Sequence, residues 1–317
     1  MQVRRSLAAV LAVGSLLLAT AGARDDLDAP EASDDESSAQ ADQGPVNISG
    51  QAFTEAAIVA AMYDELLTDA GYTTNVKLVD TRDAYMATFP GDVDVVPEYV
   101  GGIVNFLNAK ANGAKAEPFE AGDGAELAEQ GKSLLDDAGI TLLDTSEATD
   151  TNAFFVTQEY SESEGVTKLS DLEGKSVVLA AAPDCEGRLD CEGGLTDQYG
   201  IDITKVLPLG YASDQTYQSV LDGESQLGLT STTDGTLESQ GLVVLEDDKQ
   251  IQPAQNLVPA VSTEFLDAHP DVADVLNGLM AALTTEKLTE LNGQVAVDRQ
   301  KPEDVARQFL EDEGLLG

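Results

Sequence analysis

The chain of 317 residues has no tryptophan, one histidine, two cysteines and only 17 Lys plus Arg. Each scarcity excludes something. With His269 alone, a zinc site built on several histidines is ruled out, and a Ser-His-Asp triad would have to use that single ring. His269 precedes Pro270, a turn position ahead of a helix and a poor place for a catalyst. No G-x-S-x-G elbow and no metal-ligand spacing occurs. Two cysteines cannot build a multi-cysteine cluster within one chain. The few bases face 58 Asp plus Glu, a net charge of −41. Such a surface is repelled by phosphate backbones and by anionic membranes. No nucleic-acid partner, cofactor or metal is expected, and no enzymatic activity. An exported enzyme working with paired carboxylates is the remaining catalytic alternative, since so many acids will always place some pair close together.

What is present points outward from the cell. Arg4 and Arg5, the apolar run over residues 7–18 and Ala21-Gly22-Ala23 read as a signal peptide over residues 1–23. Leu18-Ala19-Thr20-Ala21-Gly22 has the form of a bacterial lipoprotein box with Ala21 where the lipidated cysteine would stand. Residues 24–45 hold eight acids, one arginine and few large apolar side chains, a disordered acidic linker by composition. The acidity continues through residues 46–317, which carry 50 acids against 14 bases. That pattern reads as a solvated surface suited to high salt, where self-repulsion is screened.

Hydrophobic residues make up 42%, enough for a sizeable core. Strand-type segments at residues 46–49, 76–79, 92–96, 140–143 and 154–156 interleave with helical ones. The first helix is capped by Thr54, shows Ile58, Met62 and Leu66 on one face, and ends at Gly71. A second block follows with strands at 177–180, 226–230 and 242–245, a helix over 217–221, then a strand at 257–261. Two helices close the chain, one on Val272, Val275, Leu276, Leu279 and Leu283, the other starting at Pro302. Strands and helices alternating throughout mean α/β layers.

Five motifs, in order, then carry a resemblance. Gly50-Gln51-Ala52-Phe53-Thr54-Glu55 follows the first strand. Gly91-Asp92-Val93-Asp94-Val95-Val96-Pro97-Glu98-Tyr99-Val100-Gly101 fits G-x-x-D-x-x-P-E-Y-x-G. Asp171-Leu172 with Gly174-Lys175, Thr232-Thr233-Asp234-Gly235 and Leu245-Glu246-Asp247-Asp248-Lys249 complete the set. Over residues 46–316 the chain resembles the substrate-binding proteins of osmoprotectant ABC importers. The resemblance implies a two-lobed periplasmic-binding-protein-like α/β fold of type II, with the ligand cleft between lobes joined by two crossover strands. Lobe one would comprise residues 46–151 and 256–317, and lobe two residues 152–255. It also implies an extracytoplasmic protein, working as a monomer, that takes glycine betaine, choline, carnitine or a related molecule and passes it to a membrane permease.

Ligands of open α/β sheets sit beyond the carboxyl ends of strands. On that rule Phe53, Thr54 and Asp94 of lobe one and Thr233 and Asp234 of lobe two are candidate ligand-binding residues; Tyr217 is the candidate aromatic of lobe two, Asn152 a candidate on the crossing strand, and the resemblance puts Gln51 and Gln255 at positions that meet the ligand in the family. Asp94 reads either as the acid under a cation or as a strand-end cap. Thr54 and Asp234 read equally as helix caps, Tyr217 as a buried helix tyrosine, and Tyr99 as a packing residue at a helix start begun by Pro97. The family's tyrosine box is thinned here: Val96, Ala56, Ala57 and Gln255 stand where aromatics are common, and Gln51 where a cation is common. A different polar ligand is therefore an open alternative. Cys185 and Cys191, six apart in an exported chain, read as a disulfide, with a redox or metal pair as the other reading. Arg188 between them either reaches the cleft or pairs with Asp190 or Glu186.

Overall fold

The computed structural model describes residues 43–113, 116–119 and 123–316. The signal peptide expected at residues 1–23 and nearly all of the acidic linker expected at residues 24–45 lie outside the described residues. Gly44 and Pro45, expected in that linker, belong to the first strand.

In chain order the first lobe is β1 (Gly44–Gln51), α1 (Thr54–Asp69), β2 (Tyr72–Val79), α2 (Arg82–Met86), β3 (Val95–Tyr99), α3 (Val100–Asn112), α4 (Gly124–Ala138) and β4 (Ile140–Leu142). The second lobe is β5 (Asn152–Thr157), α5 (Gln158–Glu164), β6 (Ser176–Ala181), α6 (Glu192–Asp197), β7 (Asp202–Pro208), α7 (Asp214–Leu221), β8 (Leu227–Ser231) and β9 (Leu242–Leu245). The chain then returns through β10 (Leu257–Ser262), α8 (Thr263–Ala268), α9 (Asp271–Ala282), α10 (Thr285–Ala296) and α11 (Pro302–Asp312). Each lobe has one five-stranded sheet, ordered β2-β1-β3-β10-β4 and β7-β6-β8-β5-β9. In each, three parallel strands are followed by two that pair antiparallel. The two sheets share one wiring pattern.

Local chemistry explains the boundaries. α1 buries Ile58, Val59, Met62, Tyr63, Leu66 and Leu67 against β1 and the C-terminal helices, and Gly71 takes the left-handed turn at φ +96° that ends it. Asp123, Ser213 and Thr284 accept backbone N–H groups at the starts of α4, α7 and α10. β10 is buried along its whole length because it lies inside the first sheet. One core fills the space between the first sheet and α1, α9, α10 and α11, and another the second lobe around Phe154, Leu179, Tyr199 and Leu229.

Several expectations need correction. Thr54 is the first helical residue of α1, not its cap; Phe53 holds the cap position and makes no side-chain cap bond. The strand expected at residues 92–96 runs over Val95–Tyr99 instead, so Pro97 lies inside a strand rather than opening a helix. Pro97 stands opposite Pro259 of β10, and its ring fills the space over Gly50, so its missing N–H leaves no ladder partner stranded there. Four helices, not two, follow β10 among the described residues; α8 and α10 were hidden by short or mixed patterns.

Two segments join the lobes. Thr149 bridges Asn256 antiparallel, the Asp150 amide donates to the Gln255 carbonyl at 3.2 Å, and the Leu257 amide donates to the Ala148 carbonyl at 2.9 Å. The crossings are thus zipped side by side, the form of a two-stranded hinge. Among the described residues no helix is long and apolar enough to cross a membrane.

Candidate functional site

The carboxyl ends of β1 and β3 and the start of β5 meet at these crossings. A cavity of about 220 Å³ there is lined by Asp150, Thr151, Asn152, Arg188, Asp190, Tyr211, Gln252, Pro253 and Gln255. Beside it Phe53 lies 39% exposed over Tyr99, the rings stacked at 6.5 Å. Tyr211, 46% exposed, stands on the loop after β7. Aromatic faces therefore come from both lobes.

Beneath them lies an acidic floor. Glu55 in the first turn of α1 is only 2% exposed. The Tyr99 hydroxyl donates to its Oε1, and Asn292 Nδ2 donates to its Oε2 at 2.7 Å. Asp150 faces the same space. Burial, then the Glu55 charge, push its carboxyl up to about 7, against the opposing pull of the Ser231 and Thr233 hydroxyls. Its Oδ1 is buried without a hydrogen-bond partner. Burial and the surrounding acids also raise the Tyr99 and Tyr211 phenols, which stay protonated. A site with a partnerless carboxylate oxygen under aromatic rings suits a cation that cannot donate hydrogen bonds.

The cleft's guanidinium is already engaged. Arg188 gives Nε and Nη2 to Asp190 at 2.9 and 2.6 Å and Nη1 to Asp184 at 2.9 Å. Asp190 in turn accepts from Asn152 Nδ2 at 3.2 Å, and its carbonyl from Gln252 Nε2 at 2.9 Å. The loop carrying Arg188 and Asp190 is closed by a disulfide between Cys185 and Cys191, both fully buried.

The candidates fall into three groups. Asn152 and Gln255 line the cavity, although Gln255 Oε1 also accepts from the Gly102 amide at 3.0 Å and so caps α3; Phe53 is not among the lining residues and adjoins them through Tyr99, whose phenol lies near Asp150. Gln51 ends β1 next to them, and Thr54 presents the open N-terminus of α1. Tyr217, Thr233 and Asp234 support the site from behind. Asp234 accepts the Tyr217 hydroxyl at 2.6 Å and the Thr236 hydroxyl at 2.7 Å, and Tyr217 and Thr233 are buried. Asp94 is not brought there. It precedes β3, accepts the Asn47 amide at 2.7 Å and faces His269, so it sits about 17 Å of strand away from the Tyr99 end.

Sequence reasoning missed Glu55, Asp150 and Tyr211 and took Tyr99 for packing. Tyr211 could have been found by the strand-end rule had β7 been seen; nothing separates Asp150 from its many acidic neighbours. A second buried acid, Glu98, forms a bidentate pair with Arg82 at 2.8 and 3.0 Å and accepts the Tyr85 hydroxyl, fixing the end of β3 on which Tyr99 stands.

Two α/β lobes on a two-stranded hinge, with aromatic and acidic groups converging between them, define a hinged solute-binding protein. Residues 44–312 match the family model described as the substrate binding domain of ABC-type glycine betaine transport systems, and the chain belongs to that family. A glycine-betaine-binding protein of Pseudomonas aeruginosa is 29% identical over 86% of this chain and 88% of its own length. A carnitine transport binding protein of Listeria monocytogenes is 25% identical over 84% of this chain and 86% of its own. A solved structure titled glycine betaine/carnitine/choline ABC transporter covers 86% of this chain and 99% of its own at a TM-score of 0.73 and 23% identity, which supports the fold.

Proposed function

We propose that the chain is the extracytoplasmic solute-binding component of an ABC importer that captures a small osmoprotectant bearing a quaternary ammonium group and hands it to a membrane permease. The observation that carries the reading is the set of Phe53, Tyr99 and Tyr211 faces around Asp150 and Glu55 at the hinge. A quaternary ammonium offers no N–H, so aromatic faces and a nearby carboxylate are the groups able to hold it. The names of the relatives point to the same ligand class.

Residues 46–151 and 256–317 form the lobe that supplies Phe53 and Tyr99, and residues 152–255 the lobe that supplies Tyr211 and Arg188. Small dihedral changes at the two crossings swing one lobe onto the other, and the closed, loaded shape is what the permease meets. The protein acts as a monomer and binds without turnover. Arg188 is already forked between two aspartates, so a ligand carboxylate has to compete for it and the cationic end contributes the larger share of affinity.

Isothermal titration of the mature protein with glycine betaine, carnitine and choline tests the reading, with proline as a control that lacks the quaternary centre. Saturable one-to-one binding of at least one of the three, with proline weaker, is expected. No heat from any of them, or tighter binding of proline, would overturn it.

A further inference from the structure

α10 comes from the far end of the chain, yet it touches both lobes. Leu288 and Leu291 sit in the first-lobe core and lock the helix there. Its Thr289, Asn292 and Gly293 side meets the second-lobe turn after β8. A Cβ on Gly235 would lie 2.2 Å from the Gly293 nitrogen and 2.3 Å from the Thr289 carbonyl oxygen, so helix and turn meet backbone to backbone. Thr289 Oγ1 adds a bond to the Thr232 carbonyl at 3.2 Å. The lobes are therefore connected at a third place besides the two crossings.

Asn292 stands in that contact, 8% exposed. Its Nδ2 donates to Glu55 Oε2 at 2.7 Å and to the Thr233 carbonyl at 2.9 Å. A primary amide has two N–H groups, so both bonds form at once, one to each lobe. From Glu55 the chain of contacts runs through the Tyr99 hydroxyl to the ring stacked on Phe53. From Thr233 it runs through the same turn to Asp234 and the Tyr217 hydroxyl. Aspartate at position 292 would put a carboxylate against two acceptors, and alanine would take a donor from a buried carboxylate.

We infer that Asn292 is a positioning residue for ligand capture: it registers where the second lobe stands and transmits that to the aromatic wall through Glu55. The inference rests on the binding role proposed above and deepens it. Any rotation of the second lobe that shifts Thr233 must stretch or relax the shared amide. The wall is thereby set by lobe position as well as by ligand.

The test uses the mature protein with fluorophores on each lobe, and the variants Asn292→Ser, Asn292→Ala, Asn292→Asp and Glu55→Gln/Asn292→Asp. Interlobe distance distributions are read without ligand, and glycine betaine and choline are titrated. The expected result is a broadened ligand-free distribution in the alanine and aspartate variants and binding weakened about tenfold to a hundredfold, with aspartate the worse. In the ligand-free distance distribution the double variant should recover part of the aspartate effect, because the amide introduced by Glu55→Gln can donate across the contact in the reverse direction, while affinity stays low because Glu55→Gln also removes an acid of the cleft floor. Serine, with one donor left, should fall between wild type and alanine, and is read where a larger change fails to fold. An unchanged ligand-free distribution with unchanged affinity, or additive broadening of that distribution in the double variant, would overturn the inference. If the wild type binds neither compound, the ligand reading fails, while the ligand-free distributions still decide the role of Asn292.

Discussion

Protonation of Asp150 should switch ligand affinity across the neutral range. Its carboxyl is pushed up to about 7 by burial and by Glu55. The groups around it are Glu55, Tyr99, Tyr211, Arg188, Asp190, Ser231 and Thr233, and the chain's one histidine lies at the other end of the sheet. A cation bound beside Asp150 favours its ionised form, so binding below pH 7 must expel a proton. If only the ionised form binds, affinity falls by about two orders of magnitude between about pH 8 and about pH 5, or roughly 2.7 kcal/mol at 1.36 per unit. Titration calorimetry at each pH in two buffers of different ionisation heat reads both the affinity and the proton released. Asp150→Asn should flatten the profile and weaken binding at pH 8 about tenfold or more. Stability runs the opposite way. A carboxyl raised in the folded state contributes stability that is full below its unfolded value and lost as pH rises through about 7. The ligand-free wild type should therefore lose melting temperature relative to Asp150→Asn between about pH 4 and about pH 7. A flat wild-type affinity profile over this range, or one that persists in Asp150→Asn, would refute the assignment.

Further outcomes follow from other contacts. Arg82→Ala strands the buried Glu98 carboxylate and should cost about 3–5 kcal/mol in chemical denaturation, whereas breaking the solvent-exposed pair of Lys132 with Asp136 should leave the denaturation midpoint nearly unchanged. Reducing the Cys185–Cys191 bond removes a short loop constraint worth about 2 kcal/mol and frees the wall carrying Arg188, so the melting temperature and ligand affinity should fall together; loss of neither would contradict the placement. Asp94→Ala should lower stability by about 1–3 kcal/mol through the lost Asn47 bonds and leave the dissociation constant unchanged. With a net charge of −41, melting temperature should rise with added KCl; a flat or falling curve would contradict the reading of the acidic surface as suited to high salt.

The architecture was legible because apolar periodicity and motif order survive in the primary structure: Ile58, Met62 and Leu66 do face one core, and most strand segments lie where the β-branched runs are. The site was harder to read, and one misassigned element accounts for much of the error. Reading Pro97 as a helix opener put the end of β3 near Asp94, which sent that aspartate to the cleft and Tyr99 away from it. The true strand runs on through Pro97, and its ligand end is Tyr99. β7 went unseen because much of it is solvent-facing and no apolar run marks it, and Tyr211 went with it. Asp150, Glu55 and Asn292 are ordinary polar residues in ordinary positions; only folding gathers them from the first crossing, α1 and α10.

The surface charge and the cleft chemistry then answer different questions. A highly acidic body attracts every cation, but that field fades over about 8 Å at physiological ionic strength and about 3 Å in molar salt. In the medium such a surface suits, long-range attraction cannot select a ligand from an excess of metal ions. Asp150 and Glu55 alone would face the same difficulty, since a carboxylate pair serves any cation. The rings of Phe53, Tyr99 and Tyr211 change the comparison. A quaternary ammonium is bulky and weakly hydrated, gains from the ring faces, and gives up little water to reach them. A small metal ion must shed part of its hydration shell to approach the ring faces, which offer it no oxygen ligand in return. On the proposed reading, selectivity would reside in the aromatic wall and charge recognition in the acidic floor. The Tyr99–Glu55 contact, where the two are joined, is the place at which a change should disturb both.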